Sequence, residues 1–141
     1  MDWTIEQLLS RNPVIPVVTI GDGEDALPLA TALLQGGINI IEVALRSPAA
    51  LDAITRIRQG SPRTIVGAGT IRHPSDLASA MAAGAQFAVS PGVTPSLLDA
   101  AARSGLPFLP GAATASEVMV LLGAGFPVIL RCIKNTNISQ I

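Results

Sequence analysis

Glu42 and Arg46 are the first residues whose types and spacing could do chemistry. They stand in the run Ile41-Glu42-Val43-Ala44-Leu45-Arg46-Ser47, where the carboxylate interrupts an otherwise apolar stretch. Side chains alternate along a strand, so Glu42, Ala44 and Arg46 share one face. A buried carboxylate needs a partner, or its pKa rises. The pair reads as a general acid/base with a carboxylate-binding arginine beside it, or as an ion pair capping a strand end. Further along, Val66-Gly67-Ala68-Gly69-Thr70 puts small residues and a hydroxyl where backbone could approach a ligand, or simply a tight turn. The Gly-x-Gly lacks the third glycine of a dinucleotide loop. Ser90-Pro91-Gly92 and Pro110-Gly111-Ala112-Ala113-Thr114 read first as turns.

The remaining reactive types are single. His73 precedes Pro74 at a helix start, where capping is the simpler role. Cys132 lies in an apolar run with no second Cys or His nearby and reads as a small buried hydrophobe. No metal-ligand spacing occurs, so no metal and no cofactor is expected. Lys134 is the only lysine. Schiff-base catalysis needs an amine whose pKa is lowered by desolvation or by a nearby cation, and Arg131 is close. Its polar setting also suits a surface lysine.

Short apolar runs at 14–20, 38–45, 63–69, 86–90, 106–110 and 127–133 predict six strands. Between them, 24–35, 48–59, 74–83, 95–104 and 115–123 carry helical periodicity. Ser47-Pro48, His73-Pro74 and Thr94-Pro95 mark helix starts, and Gly36-Gly37, Gly84, Gly105 and Gly123 mark helix ends. Apolar strands alternating with short helices mean βαβ units and a parallel sheet covered on both faces. Two architectures fit, an open doubly wound sheet and a (β/α) barrel that stops early. The loop after the first run, Gly21-Asp22-Gly23-Glu24-Asp25, is acidic and would repel phosphate, which ranks a nucleotide-binding domain last.

Composition narrows the function classes. The 141 residues suit one domain, and 49% hydrophobic against 13% charged residues excludes a disordered chain. A net charge of −1 with no basic arm gives no footprint for nucleic acid. No apolar run is long enough to span a membrane. One cysteine rules out an internal disulfide framework, and the polar, acidic start MDWTIEQLLS is no signal peptide, so a cytoplasmic location is expected. Residues 1–133 are expected to form the barrel-like domain. The polar, Asn-rich 134–141 reads as a non-native tail or an ordinary flexible terminus.

The motifs PVIPV, GGINIIEVALRS, VGAGT, GAQFAVSPG and PFLPGAAT-SE, in this order, resemble the 2-keto-3-deoxy-6-phosphogluconate / 4-hydroxy-2-oxoglutarate aldolase family over residues 5 to 127. The resemblance implies a trimeric (β/α)8 TIM barrel that cleaves 2-keto-4-hydroxy acids to pyruvate and an aldehyde through a lysine Schiff base. By the same resemblance Glu42 matches the general acid/base, which works through a water. Arg46 and Thr70 match residues holding the pyruvate carboxylate, and Pro91 a pocket-wall position. The expected fold is therefore an incomplete barrel of about five βα units plus a sixth strand, with the last two units missing.

The chain departs from the family pattern at the sixth run. Aligned without gaps, the family's Schiff-base lysine falls at Leu130, and Lys134 is four residues beyond it. The aromatic pair and Pro-Ala-Glu that follow that lysine in the family are absent, as are the phosphate-binding loops after strands seven and eight. These departures suggest a gene or reading frame that ended early, near 127–131. They open a second expectation, a non-catalytic remnant that binds small carboxylates or other subunits. Open strand edges also predict marginal solubility or edge-to-edge association.

Overall fold

The computed structural model describes residues 3–131. Cys132, Lys134 and the 134–141 segment lie outside the described residues.

The six predicted strands form. They are β1 (Val17–Val18), β2 (Ile40–Ala44), β3 (Ile65–Gly69), β4 (Ala88–Ser90), β5 (Phe108–Ala112) and β6 (Leu130–Arg131). All pairings are parallel, in the order β1-β2-β3-β4-β5-β6. A doubly wound sheet reverses its strand order at a switch point, and this order never reverses. The sheet is the arc of a (β/α) barrel, incomplete at six strands, and that settles the choice the sequence left open.

Helices α2 (Ala26–Gln35), α3 (Ala50–Gly60), α4 (Pro74–Ala82), α5 (Pro95–Ser104) and α6 (Ala115–Gly123) connect the strands. Their apolar faces cover one side of the sheet. Ile41, Val43, Val66 and Ala68 point towards them and bury completely among Ala53, Ile54, Ile57 and Leu97. The alternate residues face the concave side. Ile40, Phe87, Val89 and Leu109 pack there against Ile5 and Leu8 of a further helix, α1 (Ile5–Arg11). No helix among the described residues is long and apolar enough to cross a membrane.

Several local expectations change. Helix α1 went unpredicted, although Thr4 and Gln7 form a capping box at its start: Thr4 Oγ1 accepts from Gln7 N–H, and Gln7 Oε1 accepts from Thr4 N–H. Gly37, Gly84 and Gly105 do take the left-handed conformation after helices, but Gly123 is the last residue of α6 and Gly125 carries the positive φ. Ser47 does not cap α3, whose N-cap is Ala49. Its hydroxyl instead donates to Ile20 O at 2.5 Å, tying the loop after β2 to the loop after β1. Pro110, Gly111 and Ala112 belong to β5 and not to a turn, with Gly111 paired to Leu130. A β-carbon at 111 would press on the carbonyls of Ser90 and Pro91, so glycine lets the two chains approach.

Candidate active site

The strand ends converge on one cleft of about 320 Å³, lined by Glu42, Arg46, Thr70, Ser90, Pro91 and Leu130 among others. The four residues singled out as Glu42, Arg46, Thr70 and Pro91 are thus brought together. Strand register explains how. Glu42 lies opposite Val17 on one side and Gly67 on the other, while Ala44 lies opposite Gly69. Glu42 therefore sits on the concave face with Ile40, above the apolar layer of Phe87 and Val89. Arg46, two residues past the strand, hangs over the same cleft. Leu45 N–H donates to Gly69 O at 2.9 Å and holds the two strand ends together.

Burial in this apolar wall pushes the Glu42 carboxyl up to about 7, and the Arg46 charge pulls the other way without cancelling it. No ion pair closes between Glu42 and Arg46 among the described residues. The capping ion pair considered from sequence is thus not formed. An exposed guanidinium at a cleft mouth, unclaimed by its neighbouring carboxyl, suits the carboxylate of a small ligand.

Thr70 is the one non-glycine residue with positive φ among the described residues, at 62°. A β-branched residue pays about 1–2 kcal/mol for that conformation. The left-handed turn comes directly after β3, and Ile71 N–H then donates to Val89 O at 3.1 Å. The strained backbone turns Thr70 into the cleft. Ser90, which also lines it, is fully buried and its hydroxyl has no hydrogen-bond partner among the described residues. Sequence reading missed the apolar floor supplied by Leu9 and Leu109, because it depends on α1 and on strand register.

Other motif residues serve the scaffold. Asp76 accepts from the N–H groups of Arg72 and His73, both at 2.9 Å, so the region around His73 is a helix start, as expected. In Thr114-Ala115-Ser116-Glu117, Glu117 accepts from Ala113 N–H at 2.7 Å and Thr114 N–H at 3.1 Å. Those bonds hold its carboxyl below the ordinary value. The conspicuous acid of that motif caps α6 and stands apart from the cleft.

A family model for the KDPG and KHG aldolases matches residues 5–130. The chain belongs to this aldolase family. It is 48% identical over 120 residues to the 2-dehydro-3-deoxy-phosphogluconate aldolase of Dickeya dadantii, covering 85% of this chain and 56% of that protein. It is 46% identical to the KHG/KDPG aldolase of Escherichia coli K12, with the same coverage. Among solved structures, the KDPG aldolase of Legionella pneumophila, with pyruvate captured as a covalent carbinolamine intermediate, superposes with a TM-score of 0.85 at 44% identity. That match covers 89% of this chain and 61% of the other. A KDPG aldolase from Zymomonas mobilis with 3-phosphoglycerate gives a TM-score of 0.82 at 44% identity, covering 86% of this chain and 57% of the other. The chain thus spans a little over half the length of these aldolases. Leu130 lines the cleft with Glu42 and Arg46.

Proposed function

We propose that the cleft binds the pyruvate half of a 2-keto-4-hydroxy acid and serves aldol cleavage. The substrate is 2-keto-3-deoxy-6-phosphogluconate or 4-hydroxy-2-oxoglutarate, and the products are pyruvate and glyceraldehyde 3-phosphate or glyoxylate. The observation that carries this reading is a carboxyl titrating near 7 inside a cleft whose mouth holds one arginine. Arg46 and the Thr70 hydroxyl hold the substrate carboxylate. Pro91 forms the wall beside it.

Glu42 has the proton affinity the reaction requires. Near neutral pH about half of its carboxyls are protonated, so it can give and take a proton in successive steps. Schiff-base formation expels the C2 oxygen as water, and Glu42 supplies a proton to that leaving oxygen through a water. Cleavage then removes the 4-hydroxyl proton, breaks the C3–C4 bond and leaves the electron pair delocalised onto the imine nitrogen. Glu42 takes the hydroxyl proton and returns a proton to C3 before hydrolysis frees pyruvate. The amine in this reading is Lys134, the only lysine of the chain. A homo-oligomer, trimeric as the resemblance implies, and a cytoplasmic location complete the reading.

Borohydride reduction in the presence of pyruvate, followed by peptide mass spectrometry, tests it. An adduct on Lys134 that disappears in Lys134→Met supports the aldolase. A second reading has its own observation, Leu130 standing in the cleft where an amine is needed. If pyruvate binds and no adduct forms, the chain is a non-catalytic binder of small keto acids. If pyruvate does not bind at all, both readings fail.

A further inference from the structure

Two glycines close β3, and neither has a positive φ. What each supplies is room. At Gly67 a β-carbon would run into the ring of Phe87, a fully buried side chain with nowhere to go. At Gly69 a β-carbon would overlap Glu42 Oε1, and it would stand 2.8 Å from Cδ and 3.0 Å from Cγ. No other atoms stand among its nearest neighbours. The Glu42 carboxyl therefore lies in the place a side chain at 69 would take.

We propose that Gly69 is a positioning residue for Glu42: its missing side chain forms the niche that keeps the carboxyl against the sheet, on the same rib as Arg46. This deepens the reading of the cleft given above and rests on it for the role of Glu42 in proton transfer. The two glycines answer different needs. Gly67 admits a ring to the core, whereas Gly69 admits a reacting group to the wall of the site. This also accounts for the Gly-x-Gly spacing without any phosphate, because both positions face the concave side two residues apart.

Alanine fits the backbone at 69, since φ there is not in the left-handed region. The atom it would strike is the end of a flexible side chain and not backbone. The methyl thus displaces the carboxyl from the wall towards the open cleft, where water reaches it. Among the described residues Arg46 is the only other ionisable one lining the cleft, and β1, β4, β5 and β6 present Val17, Val89, Leu109 and Leu130 there. Release from burial then dominates, and the carboxyl becomes more acidic.

The experiment follows the glutamate carboxyl carbons by NMR across pH in the ligand-free chain, with Glu42 assigned from the Glu42→Gln spectrum. The chain has only four glutamates, so the resonances separate readily. Expected is a midpoint near 7 in the parent and a fall of at least about one pH unit, a tenfold loss of proton affinity, in Gly69→Ala. Thermal melts of Gly69→Ala, Glu42→Ala and the double variant supply the second arm. A penalty at 69 that disappears when residue 42 is alanine supports the niche, even if Gly69→Ala alone fails to fold. An unchanged Glu42 midpoint in folded Gly69→Ala overturns it. So does a Gly69→Ala penalty of equal size in the Glu42→Ala background. Pyruvate binding, measured separately on the parent, judges the aldolase reading: a shifted midpoint without binding sinks that reading and keeps the niche.

Discussion

Replacing Glu42 with glutamine removes one titration from the cleft while nearly preserving its shape. In the folded chain Glu42 titrates near 7, against an ordinary value of 4.5. Between those values the folded state binds a proton that the unfolded state has released. Its contribution to stability is therefore fully present below about pH 4.5 and is lost as pH rises through 7. At about 1.4 kcal/mol for each tenfold change in proton affinity, the loss comes to about 3 kcal/mol. The glutamine variant suffers no such loss. Urea unfolding of both chains at pH 4.5 and pH 8 measures the effect, and all other carboxylates cancel in the difference. The stability of Glu42→Gln relative to the parent should rise by about 3 kcal/mol between the two pH values. A gap that changes by less than about 0.5 kcal/mol, within the error of extrapolation, would refute the buried-carboxyl argument.

Three further outcomes follow from the same cleft. Leu130→Lys places an amine beside Glu42 and should yield a borohydride-trapped pyruvate adduct at residue 130, read by peptide mass spectrometry. Arg46→Met should weaken pyruvate binding about 10- to 100-fold by calorimetry, the worth of a hydrogen bond to a charged group, and should move the Glu42 midpoint above 7, because Arg46 is what lowers it. Thr70→Asn relieves a β-branched residue at φ 62° and should raise unfolding stability by about 1 kcal/mol, while pyruvate binding weakens through the altered polar group.

Elements were legible where one kind of interaction decides them. Burial on both faces makes β2 and β3 continuous apolar runs, and the order of strand and helix required only the short connections of βαβ units. The single acid in Ile41-Glu42-Val43 stood out because everything around it is apolar. Where two needs compete, the reading went astray. Val14–Ile20 looks like a long strand, yet only Val17–Val18 pair, since among the described residues β1 has a neighbour on one side alone. Pro110-Gly111 looks like a turn, yet the glycine is there to let β5 pass under the Ser90 and Pro91 carbonyls. Helix α1 is only seven residues long, so its signal is short: Ile5, Leu8 and Leu9 at helical spacing behind the Thr4–Gln7 cap. The Glu42–Gly69 niche joins residues on two strands, and no pattern within either strand announces it.

The unbroken strand order has a consequence for how the chain acquires its shape. Every ladder joins residues only 19 to 25 positions apart, from Val17 with Glu42 to Gly111 with Leu130. Among the described residues no strand waits for a distant partner, so loop-closure costs stay small at each step. On a ribosome, each new βα unit emerges beside a template that already exists, and assembly can advance in the direction of synthesis. The niche that Gly69 leaves for Glu42 needs only β2 and β3, and the apolar layer of Phe87 and Val89 joins it when β4 docks. The polar half of the cleft can therefore form early, well before β6 brings Leu130 to its rim.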